Sequence, residues 1–190
     1  MPIDESTSTE HLETYVLAGG CFWCLDALYQ KVRGVAEVVS GYTGGHLDNP
    51  DYRSVCSGTT GHAEAVAVSF DPSVIPGEVI LDMFFTMHNP TTLNRQGYDI
   101  GTQYRSAMFP LNDGQRADFE SAIERVSELW ADPIVTTIEP VGPFYIAENV
   151  HQNFYARQPG EGYCQVIIDP KLAKARQKFS PWITEPATAQ

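Results

Sequence analysis

Apolar positions along this chain fall into short blocks whose period changes from one block to the next. Tyr15-Val16-Leu17-Ala18 is a continuous apolar run ended by Gly19-Gly20, which predicts a strand and a tight turn. From residue 21 to 32, Phe22, Leu25, Leu28, Tyr29 and Val32 recur at spacings of three and four, the period of a helix. Residues 35–40 predict a second strand, closed by the Gly-rich Gly41-Tyr42-Thr43-Gly44-Gly45. Residues 62–70 alternate in part, Ala63, Ala65 and Ala67 against Val66, Val68 and Phe70, and predict a mostly buried strand. A helix is expected over 76–88, with Val79, Ile80, Met83, Phe84 and Met87 on one face, and a strand over 104–109. Asn112 and Asp113 mark the start of a longer helix over 111–129. Then come an expected strand over 134–141, a helix over 148–158, an extended segment over 163–168 and a basic helix over 171–179.

Strands alternate with helices, but the Gly-rich stretch 41–61 is too loose for a doubly wound sheet. The pattern favours a two-layer α/β or α+β arrangement with a mixed sheet. Residues 1–14 contain Asp4, Glu5, Glu10 and Glu13 without a Lys or Arg, and read as a mobile acidic tail. Residues 184–190 read as a mobile C-terminal tail, leaving a single domain over 15–183.

Composition narrows the classes. A chain of 190 residues that is 43% hydrophobic can bury one sizeable core. Twelve Lys and Arg against 24 Asp and Glu leave a net charge of −12, which repels phosphate backbones and excludes nucleic acid as the expected partner. No run of 18 apolar residues predicts a membrane span. No Lys or Arg precedes Lys31 and no apolar leader is visible, so no signal peptide is expected. Four cysteines are too few for a disulfide-stapled fold and read as reduced thiols in a cytoplasmic protein.

The densest chemistry lies in Gly19-Gly20-Cys21-Phe22-Trp23-Cys24. A strand feeds two glycines, and a cysteine then opens a helix, where unpaired N–H groups and the helix dipole favour a thiolate. Cys21 is therefore the candidate nucleophile, its pKa expected below the ordinary thiol value; a buried structural cysteine is the competing reading. Phe22 and Trp23 directly after it are placed to wall an apolar pocket for a group such as a methyl on sulfur. The Cys21–Cys24 spacing also admits a redox dithiol or half a zinc site. Zinc needs a second ligand pair, and Cys56, Cys164 and the histidines supply none at the right spacing, so no metal is expected. Glu64 interrupts an otherwise apolar strand; burial there would raise its pKa and make it a proton donor. Its alternatives are a solvent-facing position or a pair with Arg53 or Arg105. Tyr52 and Tyr104 each offer a hydroxyl to a polar atom in the pocket, and Cys56 reads as structural.

Gly20-Cys21-Phe22-Trp23, then Tyr52-Arg53 with Gly61-His62-Ala63-Glu64-Ala65-Val66, then HNPTTLNRQ over 88–96, then Asp99 with Gly101-Thr102-Gln103-Tyr104-Arg105-Ser106 resemble, in order, the peptide methionine sulfoxide reductase A family. His151-Gln152 and Gly162-Tyr163-Cys164 extend the likeness over 16–179. The resemblance implies a ferredoxin-like two-layer plait with long flanking coils. It implies reduction of the S epimer of methionine sulfoxide, free or in proteins, with thioredoxin as electron source and no metal or organic cofactor. It makes Cys21 the nucleophile, Glu64 the proton donor, Phe22 and Trp23 the methyl pocket, Tyr52 and Tyr104 the hydroxyls around the sulfoxide oxygen, and Asp99 a residue ordering the polar side. A monomer is expected.

Two departures bear on recycling. Many members have Gly where this chain has Cys24, and many carry a Gly-rich C-terminal tail with a further cysteine. Here Gln165-Val166-Ile167-Ile168 and a basic helix follow Cys164. Cys164, flanked by Gly160 and Gly162, is the expected resolving thiol, with Cys24 the alternative. The chemistry agrees with the likeness: a sulfoxide sulfur becomes electrophilic once its oxygen is protonated or strongly hydrogen-bonded, and a low-pKa thiolate, a neutral acid and an aromatic wall meet those needs. Two other classes remain open from the residues alone: a general dithiol–disulfide oxidoreductase using Cys21 and Cys24, and a non-catalytic module binding Met-containing peptides.

Overall fold

In the computed structural model, residues 11–184 are described; most of both expected tails, 1–10 and 185–190, lies outside them. The chain runs β1 (Glu13–Gly19), α1 (Phe22–Tyr29), β2 (Val35–Thr43), α2 (Tyr52–Cys56), β3 (Ala63–Phe70), α3 (Gly77–Met87), β4 (Arg95–Gln96), β5 (Asp99–Ile100), β6 (Ser106–Phe109), α4 (Asp113–Ser127), β7 (Thr137–Ile138), β8 (Tyr145–Ile146), α5 (Phe154–Arg157) and α6 (Asp169–Lys178). Six strands form one sheet in the order β7-β6-β1-β3-β2-β8, and β4 pairs with β5 as a separate hairpin. β1 lies antiparallel to β3 and β6, β2 is antiparallel to β3 and β8, and β7 runs parallel to β6. The inner order β6-β1-β3-β2, with α1 crossing from β1 to β2 and α3 from β3 to β6, is the ferredoxin-like plait; β7 and β8 extend it to a mixed sheet.

The period-2 pattern sets the two faces. Tyr15, Leu17, Val66, Val68, Phe70 and Met108 point into the core beneath the helices. Val16, Ala18, Ala63, Ala65, Ala107 and Phe109 form a second cluster on the opposite face, against which Phe144 packs. Burying six β1 and β3 side chains of Val, Leu or Phe size contributes about 1.5–3 kcal/mol each before chain entropy is counted, so this central pair is the rigid platform on which the site is built.

Several sequence expectations are corrected. β1 starts at Glu13, inside the stretch read as a tail, and the Thr184 N–H donates to the Lys31 carbonyl at 2.8 Å. The strand expected over 134–141 is only Thr137–Ile138, because Pro133 and Pro140 bracket it and lack donors. The helix expected over 148–158 is a 3₁₀ turn at Asn149–His151 and one α-turn at Phe154–Arg157, separated by Asn153 in the left-handed region at φ 52°. The segment over 163–168 is helical, not extended: Cys164–Ile168 form a π-turn that runs straight into α6. Cys164, Ile168, Leu172 and Ala175 are buried at helical spacing across that junction, a period that outlasts the local alternation.

Candidate active site

β1 ends against α3. A Cβ on Gly19 would lie 2.9 Å from His88 and from Phe84, so only glycine fits, and Gly20 then turns the chain at φ +86°. Cys21 follows as the N-cap of α1, and its carbonyl accepts the Cys24 N–H at 3.2 Å. The next donor of that first turn, the Phe22 N–H, goes to Glu64 Oε1 at 3.2 Å. The helix start therefore divides its N–H groups between a sulfur and a carboxyl. The Trp23 N–H lowers the Cys21 pKa, but burial above all, then the charges of Glu64, Cys24 and Asp99, push it well above the ordinary value. This corrects the expected depression: the resting Cys21 is a thiol, because its site is dry and its neighbours are acidic.

Glu64 projects from the same side of β3 as Val66 and Val68 and is 1% exposed. Burial pushes its carboxyl up to about 8, against the pull of the Phe22 N–H. It is thus a neutral acid at neutral pH, in hydrogen-bonding reach of the Cys21 thiol, while Oε2 has no partner among the described residues. Neither alternative reading of Glu64 holds: it faces the core, and Arg105 instead pairs with Glu139.

Aromatic groups close the site. Phe22 is fully buried beside Tyr42 and His151, with ring centroids 5.7 and 5.5 Å away. Trp23 is half-buried, lies flat on Phe154 at 3.8 Å, and donates its indole N–H to His151 Nδ1 at 3.2 Å. Tyr52 packs on the other side of His151, with centroids 4.2 Å apart. Glu148 holds that corner by accepting the Tyr52 N–H and the Tyr42 hydroxyl, each at 3.0 Å. Burial lowers the His151 pKa, in keeping with a neutral ring whose Nδ1 accepts from Trp23. His151 thus joins Trp23 to Tyr52, a role the sequence reading missed; the paired His151-Gln152 was its one signal.

Tyr52 and Tyr104 are half-buried, and burial, then acidic neighbours that include Cys56 and Glu64, raise both phenols. Their hydroxyls reach the sulfur of Cys56, which is exposed rather than structural. Asp99 accepts the Tyr163 hydroxyl at 2.8 Å, and that hydroxyl lies 3.9 Å from Cys24 Sγ. Lys171 Nζ is also 3.9 Å from Cys24 Sγ. Cys164 is fully buried, pushed up by burial and then by Asp169, Glu161 and Cys24. All four cysteines are free. Among the described residues no group of three His, Cys, Asp or Glu side chains could hold a metal, and no helix is long and apolar enough to cross a membrane.

A plait whose first strand delivers a thiol to a helix start, with a neutral acid against it, is the frame of a cysteine-based oxidoreductase. The family model described as peptide methionine sulfoxide reductase matches residues 13–182, so the chain belongs to that family and is a peptide methionine sulfoxide reductase by activity. It is 66% identical over 173 residues to peptide methionine sulfoxide reductase MsrA of Paenarthrobacter aurescens (strain TC1), covering 91% of this chain and 99% of that protein. Its fold is similar to Mxr1 from Saccharomyces cerevisiae in reduced form, at TM-score 0.78 and 34% identity over 83% of this chain and 91% of that one. Mxr1 in complex with Trx2 matches at TM-score 0.56 and 26% identity, over 77% and 87% of the two chains.

Proposed function

We propose that this enzyme reduces the S epimer of methionine sulfoxide, free or in proteins, through a sulfenic acid on Cys21, and that a thioredoxin in the cytoplasm restores it as a monomer. The observation that carries the reading is the Cys21–Glu64 pair, a thiol and a carboxylic acid neutral up to about pH 8. The A-type relatives support the epimer, and the Mxr1–Trx2 complex supports the reductant.

The substrate methyl lies against Phe22 and Trp23, and its oxygen faces Glu64, Tyr52 and Tyr104, with Asp99 ordering the polar side through Tyr163. Glu64 gives its proton to the oxygen as the Cys21 sulfur attacks the substrate sulfur. The thiol proton passes to the carboxylate just formed. The S–S bond of the resulting adduct then breaks as its hydroxyl passes from the substrate sulfur to the Cys21 sulfur: the substrate S–O bond is lost, a Cys21 S–O bond forms, the thioether leaves reduced by two electrons, and Cys21 is oxidised by the same two electrons to sulfenic acid. General acid catalysis of this kind contributes roughly 10²–10⁴-fold. Cys164 and Cys24 are the thiols that convert the sulfenic acid to a disulfide for the reductant.

The test is one turnover without reductant. Wild-type protein is expected to form one methionine per chain from the S epimer and none from the R epimer, and Cys21→Ser to form none. Methionine from the Cys21 variant would sink the mechanism. Consumption of methionine sulfoxide as sole oxidant also separates this enzyme from a general dithiol oxidoreductase.

A further inference from the structure

We propose that the face of α6 carrying Lys171, Lys174 and Lys178, with the groove beside it, is a track for polypeptide substrates, and that it selects oxidised methionines flanked by acidic residues. The inference rests on the Cys21 reading of the previous subsection and names the class of protein substrate that the site takes.

The groove is continuous in its lining. Between α3, α4 and α6 lies a cavity of about 430 Å³, lined in part by Phe85, Leu129, Trp130, Lys174 and Lys178. A second cavity of about 320 Å³ shares Thr86, Trp130 and Lys174 with the first and adds Lys171. A third of about 290 Å³ shares Gln96 and Lys171 with the second and ends on Asp99 and Tyr163. That last pair borders the active site: the Tyr163 hydroxyl donates to Asp99 at 2.8 Å, and its ring stands edge-on to Trp23 with centroids 5.7 Å apart. Shared walls thus lead from the aromatic pocket to the C-terminal end of α4. Free methionine sulfoxide occupies one end of such a path, whereas an extended chain occupies its length. Tyr98 is 91% exposed and Leu129 73% exposed, which leaves apolar surface beside the cations for the stems of substrate side chains.

Charge decides which chains fit. The molecule carries 12 Lys and Arg against 24 Asp and Glu, yet three of its lysines stand at 171, 174 and 178 of one helix. Spacings of three and four put them on one face. Among the described residues the ion pairs are those of Arg105 and Arg125, and none of the three lysines is in one. The carboxylate lining the first cavity, Asp82, is matched by Arg125 at 2.7 Å. The outer part of the track is therefore positive on an otherwise acidic molecule. An acidic flank is drawn to it and repelled by the rest of the surface, and a basic flank is not.

The helix also sets the spacing. Lys171 Nζ lies 3.9 Å from Cys24 Sγ, one turn from Cys21, so it stands about 10 Å from the substrate sulfur, or roughly three residues of extended chain. At about 1.5 Å per residue Lys178 is about 10 Å further, or roughly three more. The acidic positions that count are about three to six residues from the oxidised methionine, on one flank.

The experiment uses peptides of one neutral sequence with a central S epimer of methionine sulfoxide, carrying Glu, Gln or Lys over those positions on either flank. Methionine formation is followed in single turnover with the full chain in excess at low salt, without reductant. On one flank the Glu peptide is expected to react roughly five- to tenfold faster than the Gln peptide and the Lys peptide more slowly, with the differences shrinking as salt is added. Lys174→Glu with Lys178→Glu is expected to reverse the order, and Lys174→Gln with Lys178→Gln to abolish it. Free methionine sulfoxide, too short to reach either lysine, is expected to react alike with all three proteins. Equal rates for the three peptides with wild type overturn the track. An acidic preference that persists in both double variants, or a loss with free methionine sulfoxide as large as with the Glu peptide, also overturns it. A wild type that makes no methionine from the free substrate overturns the Cys21 reading instead, so the two failures are distinct.

Discussion

The Phe22 N–H donates to Glu64 Oε1 at 3.2 Å across 42 residues of sequence, tying the first turn of α1 to β3. The consequence runs through both groups. The carboxyl is held beside the sulfur although burial keeps it neutral, and the sulfur, buried and next to acidic groups, stays a thiol at rest. A resting thiol is inert toward stray oxidants and electrophiles. In the proposed mechanism the proton cycle between the two groups is completed when a sulfoxide oxygen takes the Glu64 proton.

In the proposed mechanism Glu64 acts as an acid, so its protonated form is the working one. With the carboxyl pushed up to about 8, the single-turnover rate is expected to hold level below that pH and to fall as pH rises through it. Glu64→Gln keeps a donor without a transferable proton and is expected to slow methionine formation roughly 10²–10⁴-fold while removing the pH step. Rapid-quench measurement from pH 6 to 9.5 checks both; an unaltered rate in the variant would make Glu64 a structural residue.

Trp23 is fixed by a stack on Phe154 and by the bond to His151 Nδ1. Trp23→Ala is expected to lower kcat/KM for methionine sulfoxide by about 10–100-fold and for dimethyl sulfoxide less, since the smaller substrate needs less wall. His151→Ala leaves the indole but removes its acceptor, and is expected to give a smaller loss of the same kind, mostly in KM. Steady-state kinetics with both substrates decide; equal losses would assign these rings to the fold.

Cys21 and Glu64 were legible from the sequence because each breaks a local pattern: a thiol after two glycines, and a charge among Ala and Val. The alternation in β1 and β3 foretold the buried faces, but the plait order came from resemblance, since pairing is a non-local choice. His151 was not legible as a site residue. It sits in a short 3₁₀ turn with no period, and its partner Trp23 is 128 residues away. Cys164 was misread as extended because six residues are too few to show a helical period that continues into α6. The direction of the Cys21 shift is set by burial and by Glu64, which lies 43 residues further along the chain, so no local signal carries it.

Arg105 follows Tyr104 and braces the loop that presents it. Its guanidinium forms two 2.9 Å bonds to Glu139 and donates to the Gly61 and Thr102 carbonyls at 3.0 Å. Removing Arg105 leaves a largely buried carboxylate without its cation, so Arg105→Met is expected to cost about 2–4 kcal/mol in urea unfolding at pH 7. Burial pushes the Glu139 carboxyl up, but Arg105 and Thr137 outweigh it and hold the group below its usual range. A depressed folded pKa gives stability that is present above the unfolded value and lost as pH falls. The gap between wild type and variant should therefore narrow in acid; a constant gap would show that the pair is not its source.

Cys56 is the exposed cysteine of the four, while Cys21, Cys24 and Cys164 are buried. It closes α2 one turn after Tyr52, and the Tyr52 and Tyr104 hydroxyls both reach its sulfur. Burial of its inner side still raises the pKa, so reaction with electrophiles needs mildly alkaline solution rather than neutral. Access then decides the order of labelling, and a limiting amount of a maleimide at pH 8.5 is expected to modify Cys56 before the other three. The adduct crowds the two phenols proposed to face the sulfoxide oxygen, and displacement of such groups by about 1 Å costs on the order of 10²-fold. Labelled wild type should therefore lose at least about tenfold in single-turnover rate. Cys56→Ser, which keeps a small polar group beside the phenols, should turn over nearly as wild type and resist the same treatment. Peptide mapping of the labelled protein, alongside its rate, carries the test: a Cys56 adduct with full activity would separate this thiol from the site, and labelling of Cys21 first would show that the buried sulfur is more open than its surroundings allow.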